Sequence, residues 1–78
     1  MIYTVEKIKD YSTYKAYSLE DVFTNFDEAI KSVEPNISEK ESEKLYDYIA
    51  KDGYVNFVTD RDPENDVLIT EWEWKVDD

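Results

Sequence analysis

This chain contains neither cysteine nor histidine. Without cysteine there is no disulfide frame, no thiolate nucleophile and no thiolate metal site, and without histidine the commonest general base and nitrogen ligand are missing too. Most enzyme classes are thereby disfavoured, and no cofactor or catalytic residue is expected. With only one glycine and two prolines, punctuation is confined to Pro35, Gly53 and Pro63. No repeat, low-complexity tract or linker interrupts the chain, so residues 1–78 are expected to form one domain. No apolar run is long enough to cross a bilayer, and Met1 leads directly into IYTVEKI without the basic and apolar regions of a signal peptide. The expected location is the cytoplasm, with no membrane partner.

Basic residues are scarce as well. Nine of them face 20 acids, a formal net charge of −11 that works against direct binding to nucleic acid or anionic membrane and favours a basic protein surface as partner. The imbalance is uneven: residues 60–78 carry eight acids and two bases, whereas residues 1–33 carry six and four. Hydrophobic residues at 41% and aromatics at 15% nevertheless supply a core, so the charge is not that of a disordered tail.

IYTVEKI (2–8) and KAYSLEDVF (15–23) are rich in β-branched and aromatic residues and read as a hairpin around the polar KDYST. Phe26, Ala29, Ile30 and Val33 then fall on one helical face behind Asn25, an N-cap with Glu28 three residues on, and Pro35 ends that helix. Ser38 and Glu41 repeat the capping signal ahead of Leu45, Tyr48 and Ile49, with Gly53 placed to end a helix over 39–52. GYVNFVT (53–59) and VLITEWEWKV (67–76) read as two more strands. The order β-β-α-α-β-β predicts an α+β fold, a four-stranded antiparallel sheet with two helices on one face. In the last strand Leu68, Thr70, Trp72, Trp74 and Val76 share one face and Glu71, Glu73 and Lys75 the other. The tryptophans are expected to meet the helices, and the glutamates to meet water.

DRDPENDVLITE (60–71) is spaced almost as an EF-hand calcium loop, with Asp60, Asp62, Glu64, Asp66 and Glu71 at positions 1, 3, 5, 7 and 12. Asn65 stands where the glycine belongs, the flanks read as strands rather than helices, and there is no second loop to pair with the first. A solvated acidic turn is the expectation, with no metal site and a calcium-binding module as one alternative. Paired carboxylates such as Glu71 with Glu73 or Glu20 with Asp21 would need a cleft and split pKa values for acid–base work. A solvated strand face explains them better. Glu71 and Glu73, about 6.7 Å apart along a strand, sit on the scale of neighbouring phosphates and could compete for a basic groove. Of seven tyrosines, Tyr11, Tyr14 and Tyr46 are the surface candidates.

At YTVEKI, with a second strand running into DVFTNFDEAIKSV, the chain resembles small uncharacterised domains of bacteria and their phages, over residues 2–33 and 67–77. That resemblance implies a β-β-α core and no activity. In general character, as a tiny, very acidic, cysteine-free chain, it is similar to phage-encoded inhibitors of host defence, including anti-CRISPR and DNA-mimic proteins. The expected function is a non-enzymatic inhibitor that occupies the basic site of a nucleic-acid-binding protein through Asp60, Asp62, Glu64, Asp66, Glu71 and Glu73, with Tyr11 and Tyr14 as anchors. The remaining alternative is a housekeeping domain whose acidity confers solubility; the oligomeric state is left open.

Overall fold

A computed structural model describes residues 1–73. Strands β1 (Ile2–Tyr11) and β2 (Tyr14–Phe23) form a hairpin, helices α1 (Phe26–Val33) and α2 (Glu39–Asp52) follow, and strands β3 (Tyr54–Thr59) and β4 (Asp62–Trp72) close the sheet. Its order is β2-β1-β4-β3, antiparallel throughout. The expected α+β architecture and element order are those observed.

Local chemistry sets the helix ends. The Asn25 side chain accepts the backbone N–H groups of Asp27 and Glu28, and the Ser38 hydroxyl accepts that of Glu41, which satisfies amides that a first helical turn leaves unpaired. Gly53 stops α2 in the left-handed region at φ 83°, donating its N–H to Ile49 at 2.8 Å. Its carbonyl accepts the N–H of Glu71, so the helix stop is also tied to β4. A Cβ at Gly53 would meet nothing within 4 Å, so only the backbone angle demands glycine there.

The core is a single layer between sheet and helices. Tyr3 and Val5 of β1, Val67 and Ile69 of β4 and Val55 of β3 meet Phe26, Ala29 and Ile30 of α1 and Ile49 of α2. Phe23, Val33, Ile37, Leu45 and Phe57 pack around its rim. The α1 stripe read from the sequence is the one buried.

The phase of β4 is the reverse of the sequence expectation. Val67, Ile69 and Glu71 face the helices, while Leu68, Thr70 and Trp72 lie on the outer face, where Trp72 is 51% exposed and its Nε1 donates to Thr4 Oγ1 at 2.9 Å. The register explains why: β1 sets Tyr3, Val5 and Lys7 opposite Glu71, Ile69 and Val67, so whichever face carries Val5 carries Ile69. Trp74, Lys75 and Val76, placed in this strand by the sequence, lie outside the described residues. β4 also begins earlier than expected. Its pairing with β3 shifts between Val58 and Thr59, which leaves Pro63, Glu64 and Asn65 in an irregular stretch where proline has no ladder N–H to supply.

Replacing Ile69, fully buried, by alanine should cost about 2–5 kcal/mol, whereas Trp72→Ala should cost about 1 kcal/mol, as for a half-exposed ring with one hydrogen bond. Urea melts of the two variants in dilute solution compare them; a larger loss at Trp72 would contradict the observed phase.

Candidate acidic cleft

The acids singled out in the sequence do not form one patch. Asp60 sits in the β3–β4 turn, where its N–H donates to Glu34 Oε1 at 3.0 Å. Asp62 lies on the helix side beside Lys7, at 3.5 Å, and accepts both contacts from the Asn65 side-chain amide, at 3.0 and 3.1 Å. Those Asn65 hydrogen bonds, followed by the Lys7 charge, hold its carboxyl below the usual aspartate range. Asp66 pairs with Ile8 and Val58 on the opposite face of the sheet, and Glu64 is exposed in the irregular stretch between. Twelve residues laid out as a turn and a strand, with carboxylates on both faces, do not wrap a common point as an EF-hand loop must. Among the described residues no group of three or more acids is placed to hold a metal ion.

Glu71 does not face water. It is half-buried on the helix side and accepts the Tyr3 hydroxyl at 3.0 Å. Glu73, exposed just past the end of β4, is therefore not its partner on a solvated strand face. Tyr11 and Tyr14 are exposed, as expected, but Tyr11 ends β1 and Tyr14 begins β2 rather than occupying a loop, and their rings stack with centroids 4.8 Å apart.

The structure instead gathers acids around the Tyr3–Glu71 pair. An open cleft of about 540 Å³ lies between the start of α1 and the middle of α2, lined by Tyr3, Asn25, Asp27, Glu43, Tyr46 and Asp47 among others, none of them basic. Glu43 and Asp47 are one helical turn apart on α2 and point the same way. Neither has an ion-pair partner among the described residues, whereas Asp27 is held by Lys31 at 2.9 Å. The Tyr46 ring meets Phe26 edge-on at 5.4 Å, and Phe26 meets Tyr3 in the same manner at 5.8 Å. Three aromatic rings in edge-on contact thus line the same cleft as the carboxylates.

At Tyr3, burial first, then the Glu71 hydrogen bond and its negative charge, push the hydroxyl from the ordinary tyrosine value of 10.0 up to about 12. All these causes favour the neutral phenol. Such a cleft offers carboxylates and an aromatic face at one point, the combination that receives a lysine ammonium or, better, an arginine guanidinium. The sequence reading named Tyr46 only as a surface tyrosine and missed Glu43 and Asp47; their four-residue spacing on α2 was the available signal.

Comparison with protein-family models, with curated proteins and with solved structures found no match. No helix among the described residues is long and apolar enough to cross a membrane.

The Tyr3 shift has a definite sign. The unfolded phenol ionises near 10 and the folded one near 12, so Tyr3 contributes stability that is fully present below pH 10 and is lost as pH rises toward 12. Ultraviolet titration should show a tyrosine ionising near pH 12, absent in Tyr3→Phe and moved to lower pH in Glu71→Gln. A late transition that persists in Tyr3→Phe would assign it elsewhere.

Proposed function

We propose that this chain acts by binding and not by catalysis, as an inhibitor that occupies the basic site at which another protein holds nucleic acid. One observation carries the reading: among the described residues Glu43 and Asp47 have no ion-pair partner and share, with the Tyr46 and Tyr3 rings, a cleft that no described cation lines. An arginine or lysine of the partner supplies what the cleft lacks. The net charge of −11 adds a long-range field of the same sign, which raises the rate of encounter with a basic surface and repels nucleic acid itself. Acids spaced by one helical turn lie about 6 Å apart along the axis, the scale on which a strand's phosphates follow one another. The Asp60 turn, gathered with Glu34, Glu41 and the cation Arg61 around the α1–α2 connection, adds a second, partly neutralised acidic region beyond the cleft. An origin in a phage or mobile element fits this reading and is part of the proposal.

Reversing Glu43 and Asp47 to lysine should slow association with the partner by more than about tenfold while changing dissociation less, as charges at an interface rim do. Both side chains are exposed, so the melting temperature should stay close to the parent's. Capture from host extract identifies the partner, and raising salt from about 0.05 to 0.5 M should weaken the complex. If the captured partner binds its DNA or RNA and this chain simultaneously, with affinities indifferent to each other, the proposal is wrong.

A further inference from the structure

The sheet has a second face, and no element among the described residues covers it. The pairing lines its residues up in rows that cross all four strands. Val22, Thr4, Thr70 and Tyr54 form one row, Leu19, Glu6, Leu68 and Asn56 the next, and Tyr17, Ile8, Asp66 and Val58 a third. Tyr17, Leu19, Val22, Tyr54, Val58 and Trp72 are each between 46% and 61% exposed. Ile8 is only 6% exposed yet stands apart from the cluster under the helices. This face therefore has the start of a core of its own.

We propose that the open face is a contact between two copies of this chain, stacked sheet on sheet about a two-fold axis that runs along the strands between β1 and β4. Three observations point to a second copy. The six exposed side chains present on the order of 700 Å², close to the roughly 800 Å² that each partner gives to a standard interface. The largest of them is ready for burial, because the one polar atom of Trp72 already donates to Thr4. The charge is also out of the way. The chain is 20 Å thick along its shortest axis, so stacking the open faces sends the two helix layers, with Asp27, Glu43 and Asp47, to opposite outer surfaces. Sheets packed about 10 Å apart leave those layers about 30 Å from each other, several times the screening length of about 8 Å at physiological salt.

The axis follows from the rows. It sets β2 of one copy over β3 of the other, so Tyr17 meets Val58 and Val22 meets Tyr54, each contact made twice, in the aligned packing usual for sandwiches. Glu6 and Asp66 are the two acids in these rows. In this arrangement they face Leu68 and Ile8 of the second copy, not each other. They weaken the contact, since covering a carboxylate without a cation costs free energy, and they make it a concentration-dependent dimer. The contact is independent of the acidic cleft, which it leaves open on both outer surfaces.

Sedimentation velocity over about 2–200 µM reads the association directly. The expected result is a rise from one 9.3 kDa chain toward two. Leu19→Lys with Val58→Lys should remain a single chain throughout; lysine lowers the net negative charge, so the loss could not be charge repulsion. Near-ultraviolet circular dichroism checks that this variant is folded, and Val22→Lys, in another row, gives a second reading if it is not. Glu6→Gln with Asp66→Asn should tighten the dimer by about tenfold, by removing two covered charges from each copy. A wild-type chain that stays single at the highest concentration, a dimer that survives the lysine variants, or a neutralised pair that loosens it would each overturn the proposal.

Discussion

Ile30 and Ile49, both fully buried, press onto Val5 and Ile69 at the centre of the sheet, and this small dry layer is what the rest of the molecule is arranged around. A chain of 78 residues has little surface to bury, so the core cannot be divided between two sides of the sheet. α1 has eight residues and α2 fourteen, lengths at which isolated helices are marginal in water. They persist because their caps satisfy the first-turn amides and their apolar stripes close over the same few sheet residues. The Glu71 N–H to Gly53 carbonyl bond joins the end of α2 to β4, so the core and the cleft are positioned together.

The sequence carried the helices more clearly than the strands, for a physical reason. Asn25, Ser38 and Gly53 act through bonds to residues within four positions, and a helical stripe returns to the same face every three or four residues. Both signals are local. A strand's face is decided by partners far away. In β4 both parities are apolar, Val67 and Ile69 against Leu68 and Trp72, so alternation alone has no preferred phase. The bulk of the tryptophans and the charge of Glu71 both argued for the wrong one. Tyr3 resolves the matter, since its hydroxyl gives Glu71 a partner on the helix side, but that contact spans 68 positions. The same reasoning applies to the acidic segment. Its spacing suggested one loop, and pairing of β4 with β1 and β3 drew it out into a strand whose carboxylates diverge.

That ambiguity of phase bears on function. A sheet whose outer face is meant for water alternates apolar and polar residues, and here the alternation is blurred in β2, β3 and β4 alike. Tyr17, Leu19, Val22, Tyr54 and Val58 have no role in the core under the helices. They lie on the edge strands, where the fold itself asks least of a side chain. The acids show the complementary pattern. Glu43 and Asp47 lie on the helix side of the sheet, away from that face, and like charges one turn apart slightly destabilise the helix that bears them. Stability alone favours neither choice. The two proposed associations would account for both, with apolar contact on one side and charge on the other.

The two surfaces also differ in what can regulate them. The proposed contact through the cleft would depend on charge and so respond to salt and to competing polyanions, whereas the proposed contact through the sheet would depend on area and respond to concentration. Because the layers are stacked, a dimer formed through the sheet carries two clefts on opposite outer surfaces, and one assembly engages two basic sites only if they can approach from opposite sides. Two sites on a single flat surface cannot both be reached. For the proposed dimer and the proposed basic partner, the layer order therefore favours bridging separate partner molecules over clamping one, by geometry alone.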